Sequence, residues 1–221
     1  MVWNTDSIRD FTKKSFLIQQ IYENNIDIAM LQEPLLTNED KFYIKNYKIY
    51  RSNSTSRKGV SILISNSLDC DTYKTIEDLK GRYLQVKMKN EYNEIFLGAA
   101  YVEPTEQNNF DILPKNIIES NIFSGDLNKM NSGLIIIENV YQIKNIGELV
   151  EKIKVPKKIS GHPILIFQRE LPFKKADETC AKNVINEEIA DKNLQELKKI
   201  LIDINLSYKP IIQGKFRQNK N

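Results

Sequence analysis

Polar side chains suited to chemistry follow several short apolar runs of the chain. Asn4 ends the first run, Glu33 follows the second, and the sequence GDLN at 125–128 follows a later one. His162, the only histidine, lies in the sequence SGHP at 160–163. Acids and amides placed just after apolar strands recur at sheet rims, where their side chains converge on one cleft. The spacing therefore predicts a single site built from distant parts of the chain.

Metal-assisted phosphodiester cleavage would give each of these residues a role. That reaction needs a cation at the phosphate, a base that orients water, and a donor for developing negative charge. Mg²⁺ takes oxygen ligands, typically one or two carboxylates and several waters, and Glu33 with Asn4 could supply that shell. Asp126 is then the candidate for orienting the attacking water, Asn128 for holding the phosphate or the water, and His162 for offering a proton or charge.

The sequence pattern around these residues predicts a helix and a series of short strands that would hold them in place. Helical periodicity over 5–24 predicts a helix, with Ser7 or Asp6 as its cap. Apolar strands dominate residues 43–167, so the predicted fold class is α/β (α+β), a two-sheet sandwich with outer helices. The predicted strands are 26–31, 47–51, 59–65, 83–88, 95–101, 121–123, 134–143 and 163–167.

The pattern of apolar and polar residues changes after residue 168. An amphipathic helical pattern covers 177–205, and a polar tail follows it. We therefore expect a first domain over 1–170 and a helical C-terminal extension over 171–221. The apolar stripe of that helix is most simply explained by packing.

Composition narrows the class of protein only slightly. Hydrophobic residues make up 41% and charged residues 28%, which excludes global disorder. The net charge of +3 is a weak bias toward anionic partners. Cys70 and Cys180 stand alone, so neither a zinc site nor a disulfide framework is expected. Without a signal peptide pattern or a long apolar run, we expect a soluble, intracellular protein with no membrane partner.

The order of five motifs resembles the endonuclease/exonuclease/phosphatase superfamily. They are WN at 3–4, LQE at 31–33, AAYVEP at 99–104, SGDLN at 124–128 and SGHP at 160–163, so the resemblance covers roughly residues 2–168. Together with GVSILI at 59–64, the motifs look most like the endonuclease domains of non-LTR retrotransposons, which nick target DNA.

The resemblance implies a Mg²⁺-dependent DNA endonuclease, with Mn²⁺ as the alternative cofactor and a nuclear location if the chain derives from a retrotransposon. It places Glu33 and Asn4 on the metal side of the site and makes Tyr101 the tyrosine that contacts the phosphate. Asp126 and Asn128 become the water-activating pair, and His162 the catalytic histidine. The oligomeric state is left open.

Two departures from the family pattern concern His162. The family has Ser-Asp-His where this chain has Gly161 before the histidine, and it has a histidine-orienting aspartate where residues 129–161 contain no Asp. Glu138 is the only stand-in that the sequence offers. Because an unoriented imidazole is a poor catalyst, an impaired site is one expectation.

The alternatives follow from these departures. One is a degenerate relative that keeps the fold as a binding module for nucleic acid or protein. A phosphatase acting on lipid or inositol phosphates is disfavoured, because residues 101–104 lack a histidine. Five basic residues are further candidates, as a solvated face or as contacts to a phosphate backbone: Lys157, Lys158, Arg169, Lys174 and Lys175.

Overall fold

A computed structural model describes most of the first 175 residues. The described residues are 1–36, 40–52, 58–77, 81–104, 119–128, 134–137, 141–173 and 175. All of them belong to one compact unit, Met1–Ala176. The predicted C-terminal helix and Glu138 lie outside the described residues, and the domain boundary near residue 170 stays a prediction.

Two six-stranded sheets and one helix make up the described fold. The first sheet contains β1 (Val2–Asn4), β2 (Ile28–Gln32), β3 (Tyr47–Arg51), β4 (Val60–Ser65), β11 (Glu148–Ile153) and β12 (Ile164–Gln168), in the order β11-β12-β1-β2-β4-β3. The second contains β5 (Asp71–Glu77), β6 (Tyr83–Lys89), β7 (Glu94–Tyr101), β8 (Ile122–Asp126), β9 (Ile135–Ile137) and β10 (Tyr141–Lys144), in the order β5-β6-β7-β8-β10-β9. The helix is α1 (Phe11–Glu23).

Each sheet contains one parallel strand pair, and the two pairs position the candidate residues. In the first sheet β1 runs parallel to β2, with Asn4 opposite Gln32. In the second sheet β7 runs parallel to β8, with Tyr101 opposite Asp126. The two strands of a parallel pair have their carboxyl ends at the same edge of the sheet. The polar side chains that end each pair therefore lie next to each other at that edge.

Apolar side chains fill both faces of the first sheet. Between the sheets, Met30 and Ile62 pack in one cluster with Val86 and Leu97. On the outer face, Leu17 and Ile21 of α1 pack with Trp3 and Leu31. Burying one such side chain stabilises the fold by about 1.5–3 kcal/mol, so the core fixes the strand ends that carry the site. Within the described residues, no helix is long and apolar enough to cross a bilayer.

The predicted two-sheet sandwich is confirmed, whereas the predicted start of the helix is wrong. The helix begins at Phe11, not at residue 5, because Asp10 is the cap and accepts from the amides of Thr12 and Lys13. Asp6 and Ser7, the predicted caps, both have positive φ values and belong to a turn after β1.

Two strands were missing from the sequence prediction and one prediction joined two strands. Strands β5 and β11 lie at the outer edges of their sheets and are largely exposed, so neither has the apolar pattern of a buried strand. The predicted strand 134–143 is instead the antiparallel pair of β9 and β10.

Candidate active site

The side-chain amide of Asn4 joins the two candidate carboxylates. Asn4 is the last residue of β1 and is fully buried. Its Nδ2 donates to Glu33 Oε1 at 2.9 Å and to Asp126 Oδ2 at 2.8 Å. Its Oδ1 accepts from the backbone amide of Asp6 at 3.2 Å. One amide thus brings together an acid that follows β2 in the first sheet and an acid that ends β8 in the second.

Asp126 is a buried carboxylic acid with a raised pKa. Burial raises the pKa and the charge of Glu33 adds to it, while hydrogen bonds from Asn4 and Asn128 and the nearby His162 act in the opposite direction. The backbone amide of Asn128 donates to Asp126 Oδ1 at 3.2 Å. A carboxylate whose pKa moves toward the working pH is a better proton acceptor, and both of its oxygens are held in place.

Tyr101 lies beside the same carboxylates. It ends β7 opposite Asp126 and is buried. Burial raises its pKa, and the charge of Glu33 and a hydrogen bond to Glu33 raise it further. The hydroxyl therefore stays protonated and donates to Glu33. The side chain of Asn128 is also fixed, since its Nδ2 donates to the carbonyl of Val102 at 2.6 Å.

Two residues of the site adopt a backbone conformation that L-amino acids disfavour. Glu33 has φ +49° and Asn128 has φ +43°. Asn tolerates this region, whereas Glu does so at a cost of about 1–2 kcal/mol. Residues held in such conformations cluster at functional sites, because the surrounding structure must enforce them.

The histidine loop is attached to Asn4 through the backbone. Ser160 Oγ donates to the Asn4 carbonyl at 2.9 Å and accepts from the His162 amide at 3.1 Å. His162 is half-buried and lies close enough to Asp126 to influence its pKa. Among the described residues, no side chain hydrogen-bonds the imidazole. Gly161 is exposed, and a side chain built there would meet nothing within 4 Å.

The structure thus brings Asn4, Glu33, Tyr101, Asp126 and Asn128 together, with His162 beside them, and their chemical roles stay predictions. The predicted basic cluster is only partly assembled. Lys157 and Lys158 are exposed just before the histidine loop. Arg169 instead follows the far end of β12, and Lys175 forms an ion pair with Asp27 at 2.9 Å at that opposite rim. Lys174 lies outside the described residues.

A cavity of about 320 Å³ opens at this opposite rim, away from the candidate residues. Its lining includes Asp27, Ile122 and Arg169, which lie beside the starts of β2 and β8 and beyond the end of β12. Concave pockets are the usual starting point for locating a site. Here we locate the candidate site by the convergence of polar side chains, which lies at the rim opposite the cavity.

The donor set at the candidate site fits a hard divalent cation. In the described part of the chain, no three His, Cys, Asp or Glu side chains are grouped to hold a metal. A cation at this site would have the Glu33 carboxylate and waters as its oxygen ligands, with Asn4 beside it, which is the pattern of Mg²⁺ and not of Zn²⁺. Gln32, opposite Asn4 in the sheet, is also buried, and neither its side-chain oxygen nor its side-chain nitrogen has a hydrogen-bond partner among the described residues.

Tyr141 belongs to this arrangement and was not singled out in the sequence. It is fully buried at the start of β10, opposite Asp126. Its hydroxyl accepts from the Asn4 amide at 2.8 Å and donates to the Pro163 carbonyl at 2.9 Å. A tyrosine in an apolar run is most often plain packing, so only the register of β10 with β8 could have marked it.

Several solved structures are similar to this one. They include the endonuclease domain of TRAS1, a telomere-specific non-LTR retrotransposon, with 18% identity, a TM-score of 0.45 and 57% of each chain covered. An AP endonuclease from Leishmania major has 17% identity and a TM-score of 0.48, over 62% of this chain and 57% of that one. TDP2 from D. rerio, complexed with a single-strand DNA product, has 14% identity and a TM-score of 0.47, over 80% and 83%.

At identities of 18% or less, and with every TM-score below 0.5, these similarities assign no family, activity, metal or substrate to this chain. The match spans just over half the length of the TRAS1 domain and of the Leishmania enzyme. No protein-family model matches the chain, and no curated protein does either.

Proposed function

We propose that this chain is a Mg²⁺-dependent phosphodiester hydrolase that nicks DNA, an endonuclease of the retrotransposon type. One observation carries the proposal. Two carboxylates from different sheets, Glu33 and Asp126, contact the same amide nitrogen of Asn4 at the rim where His162 also lies. Bringing two like charges together in a partly buried place is costly unless a cation or a substrate uses them.

Asp126 orients the attacking water in this proposal. Burial raises its pKa, which suits a proton acceptor, and hydrogen bonds from Asn4 and Asn128 hold both of its oxygens. Glu33 is the main protein ligand of the metal, with Asn4 as its neighbour. When bound, Mg²⁺ would neutralise charge on the phosphate. Mn²⁺ is the alternative because it accepts the same oxygen ligands.

The remaining residues of the site meet the phosphate. The Tyr101 hydroxyl stays protonated because burial and Glu33 raise its pKa. Its one hydrogen, which it donates to Glu33 in the structure, would turn to a phosphate oxygen when substrate is bound. His162 offers a proton or a positive charge, and Asn128 holds the phosphate or the water. Exposed Lys157 and Lys158 precede the histidine loop and are placed for contacts to the backbone of a nucleic acid. A retrotransposon endonuclease acts on chromosomal DNA, so we propose a nuclear location.

A second candidate function is a degenerate binding module for nucleic acid or protein. The observation that favours it is confined to the histidine loop. Gly161 supplies no carboxylate beside His162, and no described side chain orients the imidazole. This candidate keeps the fold and the basic approach to the site and predicts DNA binding without cleavage.

The test is conversion of supercoiled plasmid to the open circle in Mg²⁺. Asp126→Ala removes the proposed base and should abolish the conversion. Asp71→Ala is the matched control, because Asp71 is an exposed acid on the edge strand β5. It should nick like the wild type. Folded wild-type protein that retains plasmid on a gel without nicking it would contradict the hydrolase and favour the binding module.

A further inference from the structure

The loop that carries His162 is tied to Asn4 at two points. Ser160 Oγ donates to the Asn4 carbonyl, and the Tyr141 hydroxyl accepts from the Asn4 amide. Tyr141 also donates to the carbonyl of Pro163, so it reaches the loop on the other side of His162. Both backbone groups of Asn4 are thereby connected to residues that flank the histidine.

This attachment extends to the carboxylates through the Asn4 side chain. The same residue whose backbone holds the loop donates through Nδ2 to Glu33 and to Asp126. A displacement of the Asn4 backbone would therefore move the carboxylate contacts and the histidine loop together. The Tyr141 hydroxyl lies between the Asn4 backbone amide and the Pro163 carbonyl of the histidine loop.

The environment of Tyr141 makes its hydroxyl a rigid connector. Its ring is fully buried and packs with Val2, Ile143 and Leu165. The hydroxyl uses both of its hydrogen-bonding roles, as acceptor from the Asn4 amide and as donor to the Pro163 carbonyl. A hydroxyl that accepts one hydrogen bond and donates another fixes the distance between its two partners.

We propose that Tyr141 is a positioning residue that sets the placement of His162 relative to Asn4 and the two carboxylates. The inference rests on the proposed function for its kinetic consequence only. Tyr141 touches no reacting atom. A displacement of about 1 Å at a catalytic group lowers a rate by up to about 100-fold, so loss of one of the two ties should lower kcat by about tenfold. Binding of DNA should change little, because the exposed lysines are untouched.

The test compares Tyr141→Phe with Tyr83→Phe. Tyr83 is the matched control because it is equally buried and its hydroxyl is also hydrogen-bonded, to Gln85 and to Ser120. Ser120 precedes the start of β8 and so lies toward the opposite end of that strand from Asp126. Both variants should show similar falls in thermal midpoint. Only Tyr141→Phe should lower kcat by about tenfold while KM for plasmid stays within about twofold.

A second measurement does not depend on catalysis. His162 is the only histidine, so its imidazole protons give a single resolved set of NMR signals. At a fixed pH in Mg²⁺-free buffer, these signals should shift or broaden in Tyr141→Phe and keep their wild-type positions in Tyr83→Phe. Ser160→Ala, which removes the other tie, should move the same signals and serves as the test if Tyr141→Phe does not fold.

The outcomes separate the two claims. A wild-type protein that never nicks DNA overturns the proposed function, and the NMR comparison then decides the positioning claim alone. Wild-type imidazole signals in both Tyr141→Phe and Ser160→Ala would overturn the positioning claim. Equal changes in Tyr141→Phe and Tyr83→Phe would also overturn it, because they would show a general effect of losing a buried hydroxyl.

Discussion

The two halves of the candidate site differ in how their functional groups are held. On the carboxylate half, the side chains of Glu33, Asp126 and Tyr101 are hydrogen-bonded to partners within the site. On the histidine half, the contacts are to the backbone: Ser160 accepts from the His162 amide, and Tyr141 donates to the Pro163 carbonyl. The carboxylates are thus oriented directly, whereas within the described part of the chain the imidazole is held through its loop.

This difference indicates where catalytic power would lie. A preorganised carboxylate works without reorganisation at the moment of reaction. An imidazole without a side-chain partner has neither a fixed tautomer nor a fixed orientation. In other enzymes, loss of such a partner lowers the reaction rate by orders of magnitude. We therefore expect the carboxylate half to carry the activity and the histidine half to limit it.

The largest effect is expected on the carboxylate half. Asp126→Ala should lower the nicking rate by about 1,000-fold or more, since it removes the proposed base and one partner of Asn4. The measurement is single-turnover plasmid nicking in Mg²⁺, with circular dichroism to confirm folding. A loss below about tenfold in a folded variant would show that Asp126 is not the base.

A smaller effect is expected on the histidine half. His162→Ala should lower the same rate by about 30-fold or less, because the imidazole lacks a side-chain partner among the described residues. A well-oriented general acid or base contributes about 100-fold to 10,000-fold. Single-turnover rates of the two alanine variants give the comparison directly. Equal losses for Asp126→Ala and His162→Ala would remove the distinction between the halves.

A carboxylate introduced beside His162 should increase the contribution of the histidine half to the nicking rate. Gly161→Asp meets open space and no positive φ, so the backbone accepts the side chain. One charge-assisted contact is worth about 1.5–3 kcal/mol, which corresponds to a rise of about tenfold or more in nicking. Wild type, Gly161→Asp and Gly161→Asp/Asp126→Ala are compared at matched Mg²⁺. Absence of a rise, or a rise that persists in the double variant, would refute repair of the site.

The smallest effect is expected on the free energy of unfolding, through the repulsion between the two carboxylates. Glu33→Gln keeps an oxygen for the Asn4 amide and removes the charge that repels Asp126, so it should raise the free energy of unfolding by about 1 kcal/mol at neutral pH without metal. Repulsion requires an ionised Asp126. The gain should therefore appear as pH rises through the raised pKa of Asp126 and vanish in acid, where that carboxyl is protonated.

Urea titrations of both proteins at several pH values measure this difference. Nicking by Glu33→Gln should fall at the same time, because the proposed metal loses its main ligand. A stability difference that stays constant with pH would mean that charge repulsion is not its cause.

The amino-acid sequence alone indicated which residue types could form the site and which kind of two-sheet fold would carry them. Apolar runs such as 59–65 and 95–101 indicate buried strands, because a strand buried on both faces does not alternate between apolar and polar residues. Polar residues at or just after the ends of such runs, such as Tyr101 at the end of 95–101 and Glu33 after 26–31, could be named for the same reason, since a strand must end where its apolar side chains end. The edge strands β5 and β11 were missed because solvent, not a core, faces their side chains.

Which of these residues are in contact, and what connects them, became visible only in the folded chain. Asn4 and Asp126 are 122 positions apart, and their 2.8 Å contact depends on the packing of one sheet on the other. Tyr141 reaches Asn4 across 137 positions only because β10 pairs with β8. Arg169 and His162, close in sequence, are separated because β12 carries the chain from one rim to the other. Local periodicity encodes the elements, but contacts between sheets depend on register and packing that no short window of sequence contains.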